Sequence, residues 1–264
     1  MTHSDTPGLP ERRGGVHPEI FTEWLAALEA RHLADLRVPE VTRALRALSS
    51  AYVERRHRVA AGATLDSAGK RAAFALFYAP LHFLVVSHVV RALAADRPVP
   101  STIVDLGCGT GVAGAAWAIA AGSTSSIIGI DRHPWAVEEA RWTYRNLRLR
   151  GRAAVRDLTR LPRIAPDDAV VAAYALNELP AAARDDVEDR LVAAAASGSR
   201  VLIVEPVARG VTPWWDASAA RIIEAGGRAD EWRFEVDLPP MLRLFDKAAG
   251  LNHRELTART LYIG

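Results

Sequence analysis

The chain is almost without cysteine: Cys108 is the only one in 264 residues. A single thiol excludes an internal disulfide framework, a tetrathiolate zinc site and a cysteine-ligated iron–sulfur cluster. Radical chemistry that depends on a three-cysteine cluster is excluded with them. Scarce thiols fit a reducing compartment, so a cytoplasmic location is expected. The N-terminal stretch MTHSDTPGLPERRGG has no apolar core of the kind a secretory leader needs. Internal repeats are absent. Charge is only weakly biased, at net +2 with 24% charged residues, which permits a polyanionic partner without requiring one. One uncharged and strongly apolar run extends from Ala72 to Val90, AAFALFYAPLHFLVVSHVV. That run is long enough to span a bilayer. Pro80 interrupts it, and His82, Ser87 and His88 dilute it, so it reads as a buried helix or helix pair, and no membrane partner is expected.

What is present is enough apolar residue, 50%, to build a full core. Residues 1–16 are rich in proline, glycine and charge and read as a disordered tail. Residues 17–98 carry helical periodicity and read as an N-terminal helical domain or lid, which Gly62 and Gly69 divide into three or four helices. DRPVPS, at 96–101, opposes helix continuation and marks a linker. From residue 99 to 264 short apolar strands alternate with helices. STIVDLG, SIIGID, AAVRDL, DDAVVAAYAL, RVLIVEP, EWRFEVDL and ELTARTLYIG give seven strands, and the rhythm implies a mostly parallel α/β sheet covered on both faces.

The first strand runs into DLGCGTGVAG, 105–114. Gly107, Gly109 and Gly111 allow a tight turn and a close backbone approach to a ligand, and they leave free amides at a helix N-terminus. Gly109, Gly111 and Gly114 also satisfy GxGxxG, which keeps a dinucleotide-dependent dehydrogenase open. Asp105 weighs against a pyrophosphate, because a carboxylate there repels phosphate and favours a cationic or zwitterionic ligand. Asp131 closes the second strand, where a carboxylate accepts both hydroxyls of a ribose, with Arg132 beside it. Asp157 closes the third, placed to accept from an adenine amine while Leu158 packs the ring. Cys108 reads as a filler of the loop, and no second cysteine exists for a covalent adduct with a base.

Three acids at three successive strand ends around one glycine loop resemble the adenosine site of class I S-adenosylmethionine-dependent methyltransferases. The resemblance covers residues 99 to 264. It implies a Rossmann-like sheet, S-adenosylmethionine as cofactor and methyl transfer. The fourth strand narrows it. Tyr174, Leu176, Asn177, Glu178 and Leu179 match the Tyr-x-Leu-Asn-Glu-Leu signature of the Rsm22-type methyltransferase-like family, some of whose members are associated with the small ribosomal subunit. Val204, Glu205 and Pro206 match its Val-Glu-Pro-Gly, with Val207 in place of the glycine. LSSAYVERRHR and AFALFYAPLHF resemble its helical segments, and Arg221 has a counterpart. The cysteine regions of the larger members are missing here, and EWRF has Arg233 where a ligand would stand.

The resemblance implies rRNA or a ribosomal component as the methyl acceptor. A small-molecule acceptor, and a cofactor-binding assembly factor without turnover, stand as alternatives. Asn177, which offers both a donor and an acceptor, is a candidate to hold the acceptor amine or the cofactor's amino-acid end. Glu178 is a candidate to accept a proton or bind a cation. The plain alternatives are a turn cap for Asn177 and an arginine partner for Glu178. Tyr174 either stacks on a base or fills the core. Tyr78 and His82 are candidate substrate contacts from a lid over the cofactor. Trp142, interleaved with Tyr144 and five arginines in RWTYRNLRLRGR (141–152), is a candidate RNA contact.

Overall fold

A computed structural model describes residues 18–54, 65–208, 210 and 212–264. The expected tail at 1–16, the basic RRHR at 55–58 and Gly62 lie outside the described residues.

The central strands form where the chain is apolar on both sides, and the edge strands β3 and β6 are largely exposed. They are β1 (Thr102–Leu106), β2 (Ser126–Asp131), β3 (Arg150–Val155), β4 (Ala169–Ala173), β5 (Arg200–Glu205), β6 (Arg228–Glu235) and β7 (Glu255–Ile263). They make one sheet in the order β3-β2-β1-β4-β5-β7-β6. The first five run parallel, and β7 lies antiparallel between β5 and β6. The expected mostly parallel, Rossmann-like seven-stranded sheet is the one that forms. Its strand order reverses between β1 and β4, which opens a crevice at their C-terminal ends.

The helices following the strands are α5 (Val112–Ala120), α6 (Pro134–Asn146), α7 (Ala181–Ala196), α8 (Trp215–Glu224) and α9 (Pro240–Ala248). α5 and α6 pack one face of the sheet, and α7 and α8 the other. No helix joins β3 to β4. Residues 156–168 cross as irregular chain, anchored by Leu158, Leu161 and Ile164 against the α7 side.

Upstream lie α1 (Pro18–His32), α2 (Val38–Glu54) and one continuous helical rod, Ala68 to Ala92. Two expectations fail here. Gly69 does not break a helix: it lies inside α3 (Ala68–Ala73), where a Cβ would sit 3.2 Å from Ala44 Cβ, so it serves close packing against α2. Pro80 does not interrupt the run either. A π turn, Phe74–Tyr78, precedes α4 (Ala79–Ala92), and the Ala79 N–H reaches back to the Phe74 carbonyl. The wider turn accommodates a ring that has no N–H to give. By length and composition the rod is able to cross a membrane, but 72% of its most apolar stretch is buried inside the protein.

The upstream helices share one apolar cluster with the sheet, running from Phe21 and Trp24 through Phe83 to Ile103 and Tyr262. A buried carboxylate pins α1 to α6: Glu139, 1% exposed, takes Arg31 at 3.1 Å and His32 at 2.8 Å. Burial raises its pKa, but the hydrogen bonds and charges of His32 and Arg31 outweigh burial and hold it below the usual range. Removing Glu139 would strand both partners.

Candidate active site

The glycine loop closes over Asp105. That side chain is 1% exposed, and its Oδ2 accepts the Gly114 amide at 2.8 Å. Its Oδ1 has no hydrogen-bond partner among the described residues. Burial pushes its pKa up to about 7, against the pull of the Gly114 amide and helped by the charge of Asp131. Asp105 therefore braces the loop from beneath instead of lying open at its rim. Gly111 has φ +80, and a Cβ there would come within 2.7 Å of the Tyr144 ring, so only glycine fits. Gly107, φ +65, passes so close to β4's exit that its Cβ would meet Ala175 Cβ at 2.6 Å. The loop and the strand-four turn thus touch.

Asp131 sits where expected, at the end of β2, and its oxygens are engaged. Oδ2 accepts the Gly109 amide at 2.9 Å and Oδ1 the His133 amide at 2.8 Å. Each retains a lone pair for a ribose hydroxyl. Cys108 is buried, its thiol pKa pushed well up by burial and then by Asp105 and Asp131, so it is an inert filler. Asp157 lies two residues beyond β3, not at its end. It is exposed and accepts from Thr159 N at 2.8 Å and Thr159 Oγ1 at 2.5 Å. Asp157, Arg132, Val155, Arg156, Arg160 and Leu161 line an open groove of about 570 Å³ beside the loop. Leu158 is partly buried and faces the α7 side.

β4 stops at Ala173, earlier than its apolar run implies. Tyr174 takes φ +57, a left-handed conformation rare for a bulky residue, and Leu176–Glu178 form a 3-10 turn. The kink lifts Asn177 and Glu178 to the crevice. Asn177 is half-buried, and its side-chain amide makes no hydrogen bond among the described residues. Glu178 is committed elsewhere: its carboxylate, 46% exposed, pairs with Arg132 at 3.0 Å. Desolvation raises its pKa, Arg132 lowers it and Asp131 raises it, for a net rise. The arginine-partner alternative describes Glu178, and Arg132 serves that pair.

The rod roofs this end of the sheet. The Phe74 ring lies 3.9 Å from where a Cβ on Gly109 would project. His82 stacks on Tyr174, with centroids 3.9 Å apart and planes at 20°. Burial drops the His82 pKa to about 3, so the imidazole is neutral. Burial, then Glu205, raises the Tyr174 hydroxyl. Tyr78 packs near His82 and shares a hydrogen bond with Ser49 at 3.1 Å. Trp142 is not part of this assembly. It sits on α6 beneath the Arg31 guanidinium, 5.1 Å away, in the α1–α6 contact, and Tyr144 is fully buried.

Two groups at the site were not singled out as site residues from sequence. Glu205, at the end of β5, is 0% exposed, and neither carboxylate oxygen reaches hydrogen-bond geometry among the described residues. Burial drives its pKa up to about 8, opposed by the nearby amides of Asn177 and Leu176. The apolar run RVLIVEP held the signal, an acid directly after five buried positions. Thr110, in the loop, is 2% exposed with its hydroxyl unpaired. Nothing in its local sequence marks it.

Residues 103–198 match a family model described as a methyltransferase domain. No curated protein matches the chain. Magnesium protoporphyrin IX methyltransferase from Synechocystis PCC 6803, with bound SAH, is 17% identical, with 84% of this chain and 98% of that one covered at a TM-score of 0.47. An O-methyltransferase from Thermotoga maritima is 20% identical over 67% and 63%, at 0.45. The N-methyltransferase NodS from Bradyrhizobium japonicum WM9, in complex with S-adenosyl-L-homocysteine, is 15% identical over 67% and 85%, also at 0.45. These structural likenesses are distant. The assignment rests on the family match and on the chain's own residues: a glycine cradle that admits no Cβ, with unpaired buried oxygens of Asp105 and Thr110 beside it. Residues 103–198 are a methyltransferase domain, and S-adenosylmethionine is its cofactor.

Proposed function

We propose that this methyltransferase acts on RNA or a ribosomal component, with the acceptor held over the strand-four turn by Asn177. The support is the unengaged Asn177 amide at the switch-point crevice, next to the glycine loop, within a Tyr-x-Leu-Asn-Glu-Leu motif that resembles the ribosome-associated family. An amide presents a donor and an acceptor together and suits a nucleobase edge.

S-adenosylmethionine brings a methyl group on a sulfonium, an electrophile that needs proximity and orientation more than activation. Asp105 and Thr110 would hold its amino-acid end from below the loop, Asp131 its ribose, and Asp157 its adenine, in the groove lined by Val155 and Leu161 and not by the expected Leu158, which packs toward α7. Phe74, Tyr78 and the neutral His82 exclude water from the crevice. Glu178 is occupied by Arg132, so no dedicated base is assigned. An acceptor nitrogen that arrives unprotonated needs none.

The aromatic roof of Phe74, Tyr78 and His82 favours a second reading, a small-molecule acceptor, because it narrows the space above the turn. Labelled methyl transfer separates the two. Incorporation into rRNA, reduced by Asn177→Ala, supports the first. Incorporation only into a metabolite extract replaces it with the second.

A further inference from the structure

The sheet's two edges carry charge differently. Residues 141–163 hold eight arginines and one acid, Asp157, for a net +7 in a chain of net +2, leaving −5 for the remainder. Arg141 and Arg150 are committed to backbone carbonyls, of Ala153 and Thr124. The other six, Arg145, Arg148, Arg152, Arg156, Arg160 and Arg163, are exposed and make neither a hydrogen bond nor an ion pair through their side chains among the described residues. At the opposite edge, β6 answers each arginine with an acid: Arg228 with Asp230 and Arg233 with Glu231.

Topology lines five of the six up. Arg145 in the last turn of α6 and Arg148 just after it stand at the foot of β3, Arg152 stands midway along the edge strand, and Arg156 and Arg160 reach the groove beside Asp157. At 3.3 Å per residue β3 alone spans about 20 Å. The missing β3–β4 helix leaves this strip uncovered. Gly151 faces α6, where its Cβ would meet the Tyr144 ring at 2.4 Å, so Arg150 and Arg152 point to the other side of the sheet. Unpaired like charges held together repel one another, and a polyanion relieves that repulsion.

We propose that the β3 edge is an RNA-docking strip that binds the phosphate backbone of structured RNA and leads it toward the Asn177 turn. The proposal rests on the RNA-acceptor reading and gives it a surface. Every cation in the strip is arginine, whose planar fork matches phosphate. The aromatics of the same segment are withdrawn, Tyr144 into the core and Trp142 under Arg31, so base stacking contributes nothing here. That favours a folded stem over an unstructured strand. An anionic membrane fits less well, because Val155 is the only exposed large apolar residue in the strip.

The test is fluorescence anisotropy with a labelled RNA hairpin, over a salt series, on the full chain and on Arg145→Gln/Arg148→Gln/Arg152→Gln. Arg228→Gln/Arg233→Gln/Arg243→Gln is the equal-charge control. The strip predicts at least tenfold weaker binding for the first triple, a salt slope shallower by about 2 to 3, and less than threefold change for the control. S-adenosylhomocysteine affinity and melting temperature should be retained in both. If the hairpin binds wild type and the strip triple equally, the strip is wrong while an RNA acceptor still stands. If wild type binds no hairpin even at low salt, both fail. Arginine-dependent binding to phosphatidylserine vesicles without hairpin binding overturns the proposal in favour of a membrane.

Discussion

On the β1–β2 side of the crevice the carboxylates are largely committed to backbone: Asp131 accepts two amides, and Asp105 braces Gly114. On the β4–β5 side they are not. Glu205 is fully buried with both oxygens unpaired, the Asn177 amide is idle, and Tyr174 is held in a left-handed kink. A buried polar group without a partner costs about 1–3 kcal/mol; the first side leaves only Asp105 Oδ1 and the Thr110 hydroxyl unmet around an otherwise bonded loop, while the second leaves a whole carboxylate. The cofactor side is built in advance. The acceptor side is held ready for a partner.

The contrast breaks most sharply at Gly111. Gly111→Val forces a side chain into Tyr144 at positive φ, and should cost about 3 kcal/mol of stability and abolish S-adenosylhomocysteine binding. Melting curves and titration calorimetry read both. Asn177→Ala should act on the other side alone, lowering kcat/KM about 10²-fold while cofactor affinity stays within about threefold. Equal losses in both would erase the distinction between the sides.

Glu205 gives a pH signature. Its folded pKa, about 8, lies above the ordinary 4.5, so between these values the folded chain keeps a proton that the unfolded chain has released. Stability is greatest below pH 4.5 on this account and falls as pH rises toward 8. Glu205→Gln mimics the protonated acid and should stabilise by on the order of 2 kcal/mol at pH 8.5, with almost no effect at pH 5. Parallel pH–Tm curves for the two proteins would refute it. The smallest effect is expected at Glu178→Gln, which loosens an exposed pair with Arg132: under about 0.5 kcal/mol in stability and under about threefold in rate. A hundredfold fall in kcat there would make Glu178 a base after all.

Element positions were legible because apolar runs and glycine breaks are local signals: all seven strands and the glycine loop are present, although β3 and β6 each begin three residues before the runs that marked them. The rod was not, because Pro80 breaks helices by rule and only the π turn beside it, a tertiary accommodation, cancels the rule. At the site, the acids at strand ends were readable, but their states were not. Whether Asp131 is bound by amides, Glu178 by arginine or Glu205 buried beneath the strand-four turn depends on residues tens of positions away. Trp142 was misplaced for the same reason: a helix sequence does not say which neighbour covers its aromatic.

The His82–Tyr174 stack joins residues 92 positions apart, the rod and the end of β4. Excision is therefore not neutral. A fragment starting at residue 99 keeps the whole glycine loop and all seven strands, yet it strips Tyr174 of the ring that holds its kink and Gly109 of the Phe74 roof. Such a fragment would look complete by sequence motif and have a slack acceptor end. The catalytic unit is larger than the segment that carries its signature.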